Sequence, residues 1–250
     1  MKVPVEQNIM ELLAKLKGIA QNGGAGYFGV ADLAPATGFI REQGGDIPAS
    51  FPAAVSVGIA MPVGLVEMLA VAETDPGVLV TYDRYVYHVC NLMLDQLTFN
   101  LAREIEGAGY RAMPVAASLR VPGRHFAGVF SHKLAAHLSG MGWIGKSCLL
   151  ITPRDGPRVR WGTVLTDAPL PAGKPMEKGC RGCAKCVEAC PAGAIKGRDF
   201  NPAEPRSARL DVEKCEEYRN YVAVNKGVRT CGKCLAVCPY SNRRTVKAPV

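Results

Sequence analysis

Ten cysteines in 250 residues constrain this chain more than any other feature, because eight of them fall from Cys180 to Cys238 in a fixed rhythm. The run begins Cys180-x2-Cys183-x2-Cys186-x3-Cys190-Pro191. Three thiolates spaced by two residues wrap a turn of chain around three corners of an iron–sulfur cube. The fourth, three residues further on, points the other way and ligates a second cluster. Structural zinc sites use four ligands, usually as paired C-x2-C units, and do not show this three-plus-one run ending in Pro.

A second cluster needs three more cysteines, and the chain has them. Cys183-Ala-Lys-Cys186-x3-Cys190-Pro191 recurs as Cys231-Gly-Lys-Cys234-x3-Cys238-Pro239, offset by 48 residues throughout. The repeat calls for a cysteine at 228, where Val228 stands, and Cys215 takes its place from an upstream loop. The pseudo-symmetric assignment gives Cys180, Cys183, Cys186 and Cys238 to one 4Fe–4S cluster. Cys190, Cys215, Cys231 and Cys234 go to the other. With every corner filled by a thiolate, neither cluster offers an open iron to substrate, so both are expected to carry electrons. Residues 171–250 therefore read as a bacterial-type dicluster ferredoxin domain, poor in apolar residues and held together by its metal. The remaining Cys90 and Cys148 lie in apolar surroundings and read as buried small hydrophobes.

The segment 51–72 is the longest apolar stretch, but Pro52, Pro62, two Gly and Glu67 interrupt it. It reads as strand, turn and helix, not as a membrane span. The N-terminus has no apolar core or cleavage site of a secretory signal. A cytoplasmic, reducing location follows as an expectation, where clustered cysteines bind metal or do redox work.

Residues 1–170 alternate helix and strand signals. Helical spacing covers 8–20 and, over a longer span, 85–106; 131–138 is a shorter helix. Strands are expected over 27–33, 53–60, 110–116, 147–152 and 161–166. The alternation predicts an α/β (α+β layered) domain. Pro and Gly make 169–175 a linker by composition, and 241–250 is a basic tail. Charge divides unevenly: residues 1–117 carry 7 Lys/Arg against 12 Asp/Glu, and 118–250 carry 23 against 10. That asymmetry suits nucleic acid or a docking partner; some of the basic residues would also balance thiolate-ligated clusters.

Gly140-Met-Gly-Trp-Ile-Gly145-Lys146-Ser147 matches a phosphate-loop pattern. A phosphate loop needs a strand before it and a helix after it. Here the order is inverted. Two readings stay open: a glycine turn between helix and strand, or a backbone loop that approaches a large cofactor closely. Arg154, Arg158 and Arg160 flank a turn and could hold phosphate groups or simply face solvent.

The ordered set His132-Lys133-Leu-Ala-Ala, Gly140 to Ile151, Thr163-Val-Leu-Thr-Asp-Ala-Pro-Leu170, the cysteine run and Leu210-Asp-x3-Cys215 resembles the epoxyqueuosine reductases, and through them the core of reductive dehalogenases. The resemblance covers roughly residues 50–240. It implies two 4Fe–4S clusters coupled to cobalamin in an α/β domain. His132, Gly140, Gly142, Trp143, Ile144, Gly145, Lys146 and Ser147 would contact the corrinoid, and Tyr87 would donate a proton. It also implies a small-molecule substrate and a redox partner of ferredoxin or flavodoxin type, in an anaerobic kind of metabolism. Two departures stand out. The acidic proton donor expected after the strand at 110–116 is replaced by Pro114-Val-Ala-Ala-Ser118, and a C-terminal helical-repeat domain is expected to be missing. The Asp-x-His-x-x-Gly device for a histidine beneath cobalt also fails, since Gly123-Arg-His125-Phe-Ala-Gly128 lacks the Asp. His125 and His137 read as surface or packing residues. The alternative to an enzyme is a dicluster electron-transfer protein, or a corrinoid activator that docks a partner.

Overall fold

The computed structural model describes residues 5–72, 75–123 and 126–241; His125 and the basic tail from 242 onward lie outside the described residues. In chain order the elements are α1 (Val5–Asn22), β1 (Tyr27–Asp32), α2 (Thr37–Gly44), α3 (Asp46–Ala49) and β2 (Ala53–Ala60). Next come α4 (Val63–Glu67), α5 (Pro76–Asp83), a π-helical turn (Arg84–Val89), α6 (Cys90–Gly107), β3 (Ala112–Val115) and α7 (His132–Leu138). The chain then forms β4 (Trp143–Ile144), β5 (Leu150–Ile151), β6 (Val159–Thr166), α8 (Lys185–Glu188), α9 (Val212–Lys226) and α10 (Lys233–Ala236). The contacts divide the described residues into two units. One draws on 5–59, 90–141 and 160–176, the other on 60–89, 142–159 and 177–241.

The first unit is built on a four-stranded sheet in the order β1-β2-β6-β3. β1 runs antiparallel to β2, from Tyr27 opposite Gly58 to Asp32 opposite Ala53. β3 runs antiparallel to β6, from Ala112 opposite Thr166 to Val115 opposite Thr163. Successive strand residues point to opposite faces, and here they feed different apolar clusters. Val30, Val55 and Val164 join Leu12 and Leu16 of α1 and Leu94, Leu101 and Ile105 of α6. Their neighbours Ala31, Ala54 and Leu165 pack instead with Ile40, Phe51, Phe130 and Ala135. This is why β2 reads as a near-continuous apolar run. Cys90 is buried in the first of these clusters, as its surroundings predict.

The stretch 169–175 has no regular secondary structure, yet it is fastened to this unit. Leu170 is buried in the α1–α6 cluster, and the Gly173 N–H donates to the Val30 carbonyl (2.9 Å).

The second unit has a core that composition hides. Val222 of α9 and Leu235 of α10 pack with Met61, Val66, Leu69, Ala72, Val78, Leu79, Tyr82 and Val86. The cysteine-rich region therefore does not depend on metal alone. Lys226 ties α9 to the same segment, donating through Nζ to the Ala72 carbonyl (3.0 Å). The long helix expected over 85–106 is interrupted by the π-helical turn, which carries Tyr87 and His88.

A polar clamp closes this unit. Arg158 is only 2% exposed. It donates through Nε to the Ser241 carbonyl (2.6 Å), through Nη1 to the Met61 carbonyl (2.8 Å) and through Nη2 to Asp155 Oδ1 (3.1 Å). Gly156 has a positive φ of 57°, and a Cβ there would meet the Tyr240 backbone at 2.5 Å. The solvated or phosphate-binding roles open to the arginines of this turn are thus not what Arg158 does. Arg160 instead donates to Asn91 Oδ1 (2.7 Å), and Arg154 pairs with Asp155.

Candidate metal centre

The 48-residue repeat survives folding in register. α8 starts at Lys185 and holds Cys186, while α10 starts at Lys233 and holds Cys234. Each is a single turn, and the two pack against each other. The Cys180–Cys183 turn is closed by the Cys183 N–H donating to the Cys180 carbonyl (3.1 Å). Cys215 lies in the first turn of α9, not in a loop. Asp211 caps that helix, its side chain accepting from the Lys214 N–H (3.2 Å). A short bridge between Ile195 and Leu210 brings the chain from Cys190 back to this helix start.

Electrostatics distinguish five of the eight thiols. Burial pushes Cys186, Cys215, Cys231 and Cys234 above the ordinary thiol range and Cys238 to about 11. Repulsion from neighbouring thiolates adds to this. Cys186 feels Cys180 and Cys183; Cys238 feels Cys180, Cys186 and Cys183. Cys215 feels Cys231 and Cys190, and Cys231 feels Cys190. Cys234 feels Cys231, Cys215 and Cys190, with Cys186 the one neighbour from the other group. Among the described residues, no three His, Cys, Asp or Glu side chains converge on one ion position. Ligands of an iron–sulfur cube need not, since each thiolate binds its own corner.

Two further observations fit clusters of this kind. The Ala194 N–H donates to Cys190 Sγ (3.3 Å). Thr230, beside Cys231, is fully buried and its hydroxyl has no partner among the described residues, although buried hydroxyls in proteins are ordinarily bonded.

The pH dependence has a definite sign. A thiol whose folded pKa lies above its unfolded value stabilises the metal-free fold below about pH 8.5. That contribution is lost as pH rises toward about 11, the Cys238 value. Iron binding needs thiolates and releases protons. Cluster reconstitution is therefore expected to quicken from about pH 7 to about pH 9, while the metal-free chain's thermal midpoint falls above that range. Iron uptake followed by visible absorbance checks the first, and a flat profile would contradict it.

The residues assigned to a corrinoid are placed as follows. Gly140 closes the turn after α7, its N–H donating to the His137 carbonyl (3.0 Å). Gly142 lies against the Ile151 backbone at the start of a hairpin in which Trp143 faces Ile151 and Ile144 faces Leu150. Gly145, Lys146, Ser147 and Cys148 form its turn, with the Cys148 N–H donating to the Gly145 carbonyl (2.9 Å). Cys148 is buried, as expected, but takes a positive φ of 57° in this turn instead of a strand conformation. The strand expected over 147–152 shrinks accordingly to Leu150–Ile151.

This hairpin turn meets the cysteine loop. A side-chain carbon at Gly145 would stand 3.2 Å from Cys180 Sγ. Lys146, 9% exposed, donates through Nζ to the Arg181 carbonyl (2.7 Å). Arg181 itself holds a positive φ of 50°. The lysine of the phosphate-loop pattern thus braces the Cys180–Cys183 turn. Trp143 is buried edge-on to Tyr240 (5.0 Å between centroids), with its indole N–H unpartnered.

His132 and Tyr87 are separately engaged. The His132 Nε2–H donates to the Ala116 carbonyl (3.1 Å), leaving Nδ1 to accept from the Thr163 hydroxyl (2.9 Å). Burial lowers its pKa to about 4, so the ring is neutral at physiological pH. Ala117, where the sequence lacks the expected acid, donates its N–H to Asp95 Oδ1 (2.8 Å). Tyr87 is half-buried, edge-on to Tyr82 (6.2 Å) and near Arg219. Sequence reasoning missed the Glu216 network beside Cys215. Buried Glu216 pairs with Arg219 (2.7 Å) and with Arg229.

Residues 179–241 match the family model of a 4Fe-4S double cluster binding domain. Epoxyqueuosine reductase from Pseudomonas aeruginosa is 27% identical over 200 residues, 78% of this chain and 49% of the relative. The chain is a relative of the epoxyqueuosine reductases. The enzyme from Bacillus cereus is 35% identical over 107 residues, 38% of this chain and 26% of the relative. The match thus spans half or less of these relatives' length. Among solved structures, a reductive dehalogenase described in terms of B12-dependent dehalogenation aligns over 92% of this chain and 32% of its own, with a TM-score of 0.65 and 21% identity. Epoxyqueuosine reductase from Streptococcus thermophilus aligns over 95% and 67%, with a TM-score of 0.55 and 16% identity. These likenesses speak to the fold.

Proposed function

We propose that this chain is an iron–sulfur reductase. Cys180, Cys183, Cys186 and Cys238 would hold one 4Fe–4S cluster and Cys190, Cys215, Cys231 and Cys234 the other, supplying single electrons for the reduction of a small organic substrate. The observation that carries this reading is that all eight cysteines of the repeat fall inside the segment matched as a 4Fe-4S double cluster binding domain, with the two equivalent turns α8 and α10 packed together. The cysteine domain at 171–250 would receive electrons from a ferredoxin- or flavodoxin-type partner in the cytoplasm. The layered α/β domain at 1–170 would present the acceptor. Among the described residues, no helix is long and apolar enough to cross a membrane.

The acceptor we assign is cobalamin, on the strength of the B12-dependent dehalogenase among the solved relatives. Tyr87 would donate the proton; its half-exposed phenol, its π-helical turn and the nearby Arg219 support that role. The chain's own residues fit a corrinoid poorly. His132 has both ring nitrogens engaged, and Lys146 is spent on Arg181. Of the side chains assigned to the corrinoid, Trp143 alone offers a buried unpartnered donor.

That engagement favours a second reading, a dicluster electron-transfer protein or corrinoid activator that docks a redox partner. An anaerobic spectroscopic titration with cobalamin, after iron–sulfur reconstitution, separates the two. Saturable binding with cobalt reduction is the result expected of the reductase. Two intact clusters with no corrinoid binding in any redox state would overturn that assignment in favour of the carrier.

A further inference from the structure

We infer that the Thr230 hydroxyl donates a hydrogen bond to a sulfur of the cluster held by Cys190, Cys215, Cys231 and Cys234, and so raises that cluster's reduction potential. The inference rests on the ligand assignment proposed above. Thr230 immediately precedes Cys231 and is 0% exposed. Its Oγ1 has no hydrogen-bond partner among the described residues. Burying a hydroxyl without a partner is costly, so the acceptor is a group that the polypeptide does not supply.

The neighbours narrow what that group is. Arg229, one residue before, is committed to Glu216 and to Asn220 Oδ1 (2.7 Å). Glu216 is next to Cys215, so Thr230 lies where two ligand-bearing segments meet. Cys231 already accepts a backbone N–H, from Lys233. An inorganic sulfide of this cluster is the acceptor of matching chemistry. Hydrogen bonds to cluster sulfurs stabilise the more negative, reduced state, which is one of the protein's means of setting potential.

The 48-residue repeat makes the effect one-sided. The residue corresponding to Thr230 is Gly182, which has no side chain to donate. The hydroxyl therefore tunes one cluster and not the other.

The test is an anaerobic redox titration followed by electron paramagnetic resonance, on the reconstituted full chain and on Thr230→Val and Thr230→Ser. Wild-type iron of about eight per chain and two titrating centres establish the ligand reading first; fewer centres in the wild type would fail that reading, not this inference. Valine keeps the shape and removes the donor. The expected result is unchanged iron, a downward shift of one potential, an unmoved second potential, and a serine variant close to wild type. Two unmoved potentials in the loaded valine variant would overturn the inference. If valine prevents loading of that cluster while serine permits it, the hydroxyl is required and the inference stands. If both variants fail to load, the methyl group is what matters, and the inference falls.

Discussion

Replacing Cys234 by Ser is expected to remove one cluster and spare the other, lowering iron from about eight to about four per chain after anaerobic reconstitution. Cys234 is the thiol most strongly affected by burial, and three of its thiolate neighbours belong to its own group. Pairs of substitutions test the grouping itself. Cys180→Ser combined with Cys238→Ser should cost no more iron than either alone, because both serve one cluster. Cys180→Ser combined with Cys231→Ser should leave almost none. Iron and sulfide analysis, with the resonance spectrum of the surviving cluster, reads the result. Near-total loss in the Cys180/Cys238 pair would refute the assignment.

The second large effect is at Asp155. Its carboxylate meets buried Arg158 through one oxygen and Arg154 through the other. Arg154 is 54% exposed at its side chain, so losing that pair costs less than about 1 kcal/mol. Asp155→Ala instead leaves the Arg158 charge buried without its counter-ion, an effect of about 3–5 kcal/mol. For a chain of this size the thermal midpoint should fall on the order of 10 °C, with Arg154→Ala close to wild type. Since Arg158 also holds Ser241, three residues past Cys238, the cluster on that side should become more labile to chelators. Equal midpoints for the two variants would show that the clamp contributes little.

The cysteine repeat was readable because cluster geometry imposes itself locally: a turn of chain must span three corners, so spacing alone carries the information. Strand β2 was readable for a similar reason, its apolar run reflecting apolar neighbours on both faces. Cys215 was harder. Its spacing breaks the repeat, and only the Asp211 cap, three residues before Lys214, signals that a helix starts there. The hairpin at 143–151 illustrates the opposite difficulty. Glycines that suggest room for a cofactor are also what a tight turn needs when it approaches Cys180. Arg158 was illegible in principle, since two of its partners are backbone carbonyls at Met61 and Ser241, and carbonyls have no sequence signature. The residues around Tyr82 gave an apolar pattern but no hint that they would pack with α9 and α10.

The shared core of the second unit has a bearing on how the protein is made. Lys226 and Ala72 are 154 positions apart, and Val222 and Leu235 pack among residues from 61 to 86. Closing so long a loop is slow, and its contacts form late. During synthesis the 60–89 segment waits, its apolar face uncovered, until the cysteine-rich segment has emerged. Completion of this core is thus a late event in the life of the nascent chain, one that waits on the last part of the chain to be made.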